Sequence, residues 1–156
     1  MTATRSRDLL GIGIVVAVLA NLAVRLSYGS LPSFPVLAGA TLGVLGIAEA
    51  LAGRALRARI LRRPGTRPID PLVAARAVVV AKASSVSGAV MAGVWAGLLV
   101  HVLPLVGEVS AAGSDAVSAG VGLACASGLV AGGLWLEWCC RTPDDDIPGR
   151  DTTVRE

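Results

Sequence analysis

Glu49 and Lys82 are opposite charges set into otherwise apolar stretches, where an ion is costly. Glu49 lies five residues before Arg54, so about 7–8 Å inside the inner end of a helix that reaches that arginine. Lys82 lies six residues beyond Arg76, at a similar depth of about 9 Å. An unpaired ion at mid-bilayer costs at least about 2.5–3.5 kcal/mol, so two opposite charges at matched depth are expected to meet. The spacing therefore predicts an ion pair between the second and third apolar segments. If the pair lines a polar path, its role is transport or catalysis. If each side chain reaches outward to the membrane surface, it has none.

The other reactive residue types predict less. His101 is the only histidine and falls at an outer helix end, with no acid nearby on its own helix. Glu137 is expected to face headgroups or nearby arginines, and Asn21 to hydrogen-bond within the helix bundle. Cys125, Cys139 and Cys140 have neither zinc-ligand spacing nor a disulfide framework. No phosphate-binding glycine loop, metalloprotease histidine pair or nucleophile elbow occurs, so no catalytic residue, metal or cofactor is expected and an enzyme is disfavoured.

These residues are embedded in a chain suited to lipid. Of 156 residues 54% are hydrophobic, the mean hydropathy is +0.71, and charged residues make up only 16%. The bulk is Ala, Val, Leu and Gly, small or aliphatic types that let helix backbones approach in a bilayer. A span needs about 20 apolar residues. Four are predicted, at about 9–28, 34–53, 83–103 and 116–138, as one domain over 1–141. An amino-terminal signal peptide is the competing reading of the first, but apolarity continues past Ala20. The short Gly- and Pro-containing link at 29–35 predicts an antiparallel hairpin of spans one and two. Asp70-Pro71 reads as helix cap and first helical residue, so the third helix should begin near 71, well before its span. The fold class is thus all-α, an integral membrane four-helix bundle of two transmembrane hairpins. Residues 142–156 hold five acids and little to bury, and read as a disordered tail.

Orientation follows from arginine placement. Arg54, Arg57, Arg59, Arg62, Arg63 and Arg67, six of the chain's thirteen arginines, crowd between the second and third spans. Arg5, Arg7 and Arg141 flank the first and fourth. The positive-inside rule puts both termini and this central loop in the cytoplasm of a cell (inner) membrane. Anionic lipid headgroups are the expected partner of the arginines, at about 1 kcal/mol each. No nucleic-acid motif or stacking aromatics accompany them.

Small residues recur every four positions: Ala116, Gly120, Ala124, Gly128 and Gly132 in the fourth span, and Ser85, Ala89, Gly93 and Gly97 in the third. A four-residue step stays near one helix face and predicts grooves for backbone approach, within the bundle or in a homo-oligomer.

At Arg63-Pro-Gly-Thr-Arg67-Pro-Ile-Asp70-Pro71-Leu-Val-Ala-Ala-Arg76, at Ala81-Lys82-Ala-Ser84, and again at Leu134-Trp-Leu-Glu137-Trp-Cys139-Cys140-Arg141, the sequence resembles an actinobacterial family. Its members are small four-span membrane proteins of uncharacterised function, often encoded beside folate-biosynthesis genes. The resemblance implies a fold but no site residue. The leading expectation is a non-enzymatic membrane protein acting through helix packing or contacts with an unidentified membrane partner. The alternative is a small transporter, or a transporter accessory subunit, using Glu49 and Lys82.

Overall fold

The structure, a computed structural model, describes residues 6–27, 39–60, 70–109 and 112–140. Four helices account for nearly all of them: α1 (Ser6–Ser27), α2 (Ala40–Ile60), α3 (Pro71–Val102) and α4 (Ala112–Cys139). The arginine-rich 61–69 and the acidic tail expected at 142–156 lie outside the described residues.

The start of α3 is set as its sequence predicts. Asp70 sits in extended backbone and its carboxylate accepts a hydrogen bond from the Leu72 amide at 2.9 Å, with Pro71 at the first helical position. The helix then runs 32 residues, roughly 48 Å, well beyond the roughly 30 Å of bilayer hydrocarbon. Its first turns bear the exposed Arg76. Pro104 ends it in a single 3-10 turn, Leu103–Leu105, and Gly107 turns the chain at φ +99°. The fourth helix begins at Ala112, four residues ahead of the predicted span, and so includes Asp115 in its first turn.

Glycine contacts give the helix directions. Gly13, Val16 and Ala17 of α1 lie against Gly93 and Gly97 of α3, with residue numbers rising together, so these helices run parallel. Likewise Gly39, Gly43, Gly46 and Gly53 of α2 meet Gly122, Cys125, Leu129 and Leu136 of α4 in rising order. Between α3 and α4 the order reverses: Gly133 meets Ser85, Gly88 meets Val130, and Trp95 covers Gly122. The helices thus form a row, α1–α3–α4–α2, with directions up, up, down, down.

The row corrects one expectation. Spans one and two are antiparallel, but among the described residues α1 and α2 do not pack together; they flank the α3–α4 hairpin from opposite sides. Crossing three helix spacings of about 8–10 Å needs about 24–30 Å. The twelve peptide steps from Ser27 to Gly39 can reach roughly 40 Å.

The surface is apolar and the contacts are small. Leu10, Ile14, Val18, Leu22 and Leu26 of α1 and Val44, Ile47 and Leu51 of α2 are exposed, while Ala81, Ala119 and Ala126 are fully buried. A soluble protein places its large aliphatic side chains inside. Here they point outward, as lipid requires, and Gly, Ala and Ser bring the backbones together. Three described helices, α1, α3 and α4, are long and apolar enough to cross a membrane. The described part of α2 combines the apolar stretch Ala40–Gly53 with Arg54, Arg57 and Arg59.

Candidate functional site

Polar groups inside the row concentrate on the α3–α4 seam. Ser85, Asp115, Ser118 and Glu137 are its buried polar residues. Ser85 and Ser118 hydrogen-bond back to the carbonyls of Ala81 (2.8 Å) and Ser114 (3.0 Å), which satisfies a hydroxyl within its own helix.

Lys82 is half-buried on α3, one turn before Ser85, and is engaged with a partner. Glu49 is half-buried on α2, and its Oε2 has no hydrogen-bond partner among the described residues. The two lie on helices that barely meet, since α4 intervenes between α2 and α3.

Glu137 takes a different position from the expected one. It does not face headgroups but is 6% exposed and partnered, on the side of α4 turned toward α3. At the opposite end of α4 Asp115 is 5% exposed, in the helix's first turn, where the dipole favours a carboxylate. His101 and Asp115 are both engaged as well. His101 has no acid on its own helix, but the antiparallel register brings α4's first turn alongside the end of α3. The sequence contains these residues, yet only the register of α3 against α4 shows them to be inside. Trp95, buried at 6% over Gly122, was invisible for the same reason.

The arginine stretch divides. Arg54 and Arg59 are exposed on α2's last turns, and Arg62, Arg63 and Arg67 lie outside the described residues. Arg57 instead lies over the Trp138 ring at 3.9 Å, and Trp138 leans on Trp135 with centroids 5.1 Å apart. Both tryptophans remain partly exposed. The cation stacked on tryptophan ties the carboxy-terminal turns of α2 and α4 together.

Each small-residue row splits. A four-residue step turns the face by about 40°, so Ser85 faces α4 while Gly93 and Gly97 face α1, and Ala89 lies between, its carbonyl 3.5 Å from the Cβ position of Gly13. In α4, Gly132 is buried against Gly46, whereas the Cβ positions of Gly120 and Gly128 meet nothing within 4 Å and Ala124 is exposed. The Asn21 expectation holds: its Nδ2 donates to the Gly97 carbonyl at 3.1 Å, across the α1–α3 contact.

A cleft of about 430 Å³ opens between α1 and α4, with α3 as its floor. Leu9 and Ile14 form one wall, Leu123 and Val130 the other, and Ala92 and Gly93 the base. The three cysteines are free thiols, and burial beside Cys139 pushes the Cys140 thiol above its ordinary value. Among the described residues no three metal-ligating side chains come together.

No curated protein and no solved structure matches the chain. One family does, over residues 9–144, which takes in all of α2, α3 and α4 and all but the first turn of α1. The chain belongs to that family, DUF3180, described as a protein of unknown function.

Proposed function

We propose that the protein is a non-enzymatic, multi-pass integral protein of the cell membrane that acts by holding a membrane partner against the cleft between α1 and α4. The cleft is the observation that carries this reading. It is apolar, opens sideways toward lipid, and has a floor of Ala and Gly that admits a helix backbone closely. Among the described elements α1 packs on α3, and exposed Leu, Ile and Val side chains on its remaining surface are available for a second contact.

In this reading α2 is the fourth span. Its parallel register with α4 supports that, since Gly39 to Gly53 lie alongside Gly122 to Leu136 of a helix that is itself long enough to span. Both termini and the arginine stretch face the cytoplasm, where Arg54, Arg57 and Arg59 meet anionic headgroups. An actinobacterial origin fits the ratio of thirteen arginines to one lysine.

Two measurements test the proposal. Reporter fusions after residues 30, 66, 110 and 156 should read outside, inside, outside and inside; residue 66 outside defeats the topology. A photo-crosslinking amino acid at Ser127, in the cleft, should give a discrete protein adduct in membranes, while one at Val44, on an exposed face of α2, should give lipid adducts. Lipid adducts alone at both positions refute partner binding at the cleft.

A further inference from the structure

Three contacts fix how α3 and α4 lie together: Trp95 over Gly122, Gly88 against Ala126 and Val130, and Gly133 against Ser85 and Ala81. Follow the last one inward. On α4, one turn beyond Gly133 is Glu137; on α3, one turn back from Ser85 is Lys82. Residues three or four apart share a helix face. The antiparallel register therefore brings Glu137 and Lys82 within about one turn of each other along the seam.

We propose that Lys82 and Glu137 form the intramembrane ion pair of this protein and lock the register of the central hairpin. Glu137 is 6% exposed, Lys82 is half-buried, and both are engaged with partners. A buried carboxylate needs a cation or several donors to remain in place. Among the described residues, other basic side chains near this end are directed elsewhere: Arg76 and Arg54 are exposed, and Arg57 lies on Trp138. Glu49 competes poorly for Lys82 because its helix packs on α4 and scarcely meets α3.

The role follows from the seam's composition. Gly88, Gly122, Gly133, Ala119 and Ala126 keep the seam close with small side chains, so few large groups mark its register: Trp95 over Gly122 and the Lys82–Glu137 pair. A slide of one turn separates Lys82 from Glu137 by about 5.4 Å along the axis and leaves both ions in an apolar setting. Selecting register is the best-attested use of a buried polar pair.

The test is a double-mutant cycle on the full chain, read as the thermal midpoint in mild detergent. Lys82→Met and Glu137→Gln should each lower the midpoint by about 5 °C or more, and the double change by clearly less than their sum. Glu49→Gln combined with Lys82→Met should be additive. The exchanged pair, Lys82→Glu with Glu137→Lys, should recover expression and midpoint relative to either single reversal, which keeps the test open where a single change fails to fold. Additivity of Lys82→Met with Glu137→Gln, coupling of Lys82 to Glu49 instead, or an exchanged pair no better than the single reversals each overturns the proposal.

Discussion

Gly97→Ala tests whether the α1–α3 interface rests on backbone contact. A Cβ at position 97 would meet the carbonyl oxygen of Ala17, the Ala20 Cβ at 2.9 Å and the Asn21 amide nitrogen at 2.9 Å. Two of these are backbone atoms, so relief requires α1 to move away. Overpacking of this kind costs about 1–3 kcal/mol. Displacing α1 also strains the Asn21–Gly97 hydrogen bond, a further loss of about 0.6 kcal/mol for a bond between helices in a membrane. Alanine gains about 1 kcal/mol over glycine in helix propensity, which offsets part of this. The net expectation is destabilisation by about 0.6–2.6 kcal/mol, or a fall of roughly 1–10 °C in thermal midpoint for a chain of this size. Gly120→Ala is the control, because nothing lies within 4 Å of its Cβ position. There only the propensity gain remains, so the midpoint should hold or rise by roughly 2–4 °C. Both variants belong in the same detergent, with midpoints followed by loss of the monodisperse species on heating. Equal midpoints for Gly97→Ala and Gly120→Ala would refute the reasoning, since the two changes are chemically identical and differ only in what surrounds them.

Asn21→Leu should lower stability by about 0.6 kcal/mol, measured in the same way, through loss of its bond to the Gly97 carbonyl. Asp70→Ala should cost about 1 kcal/mol and speed hydrogen exchange at Leu72, whose amide loses its acceptor. Arg57→Gln should remove a cation–π contact of about 0.5–1 kcal/mol and change tryptophan emission, because the guanidinium sits 3.9 Å from the Trp138 ring. Burial raises the Cys140 thiol, so less thiolate is present at neutral pH than for a free cysteine. Maleimide labelling of the Cys125→Ala/Cys139→Ala variant should accordingly be slow at pH 7 and rise about tenfold per pH unit until the thiol titrates.

The helices were legible because charges and prolines punctuate them. Asp70-Pro71 marks the start of α3, Pro104 its end, and the row Arg54, Arg57, Arg59 the carboxy-terminal end of α2. Which helix neighbours which was not legible. Nothing in the local sequence tells that a chain leaving α1 passes the α3–α4 hairpin before α2 begins, because a link of that length suits either arrangement. The small-residue rows predicted close backbone approach without naming a partner, and the drift of about 40° per step carries the α3 row from α4 at Ser85 to α1 at Gly97. Glu49 and Lys82 share a depth, which sequence can give. Whether they share a face depends on which helices adjoin, and α4 stands between theirs.

The distribution of polar groups shows where the row is most firmly specified. In lipid no hydrophobic force drives helix against helix, so association rests on close packing and hydrogen bonding. Ser85, Asp115, Ser118 and Glu137 are the buried polar residues, and all lie on α3 or α4. The α1–α3 contact has one described interhelical hydrogen bond, from Asn21, beside the approach of Gly93 and Gly97 to α1's backbone. The α2–α4 contact relies on its glycine row and the Arg57–Trp138 stack. The central hairpin therefore holds the polar determinants, and each edge helix is attached through a single interface. A partner entering beside α1 meets a helix far less buried than either α3 or α4. It could displace α1's outer contacts without breaking the seam, which is the property the proposed function requires.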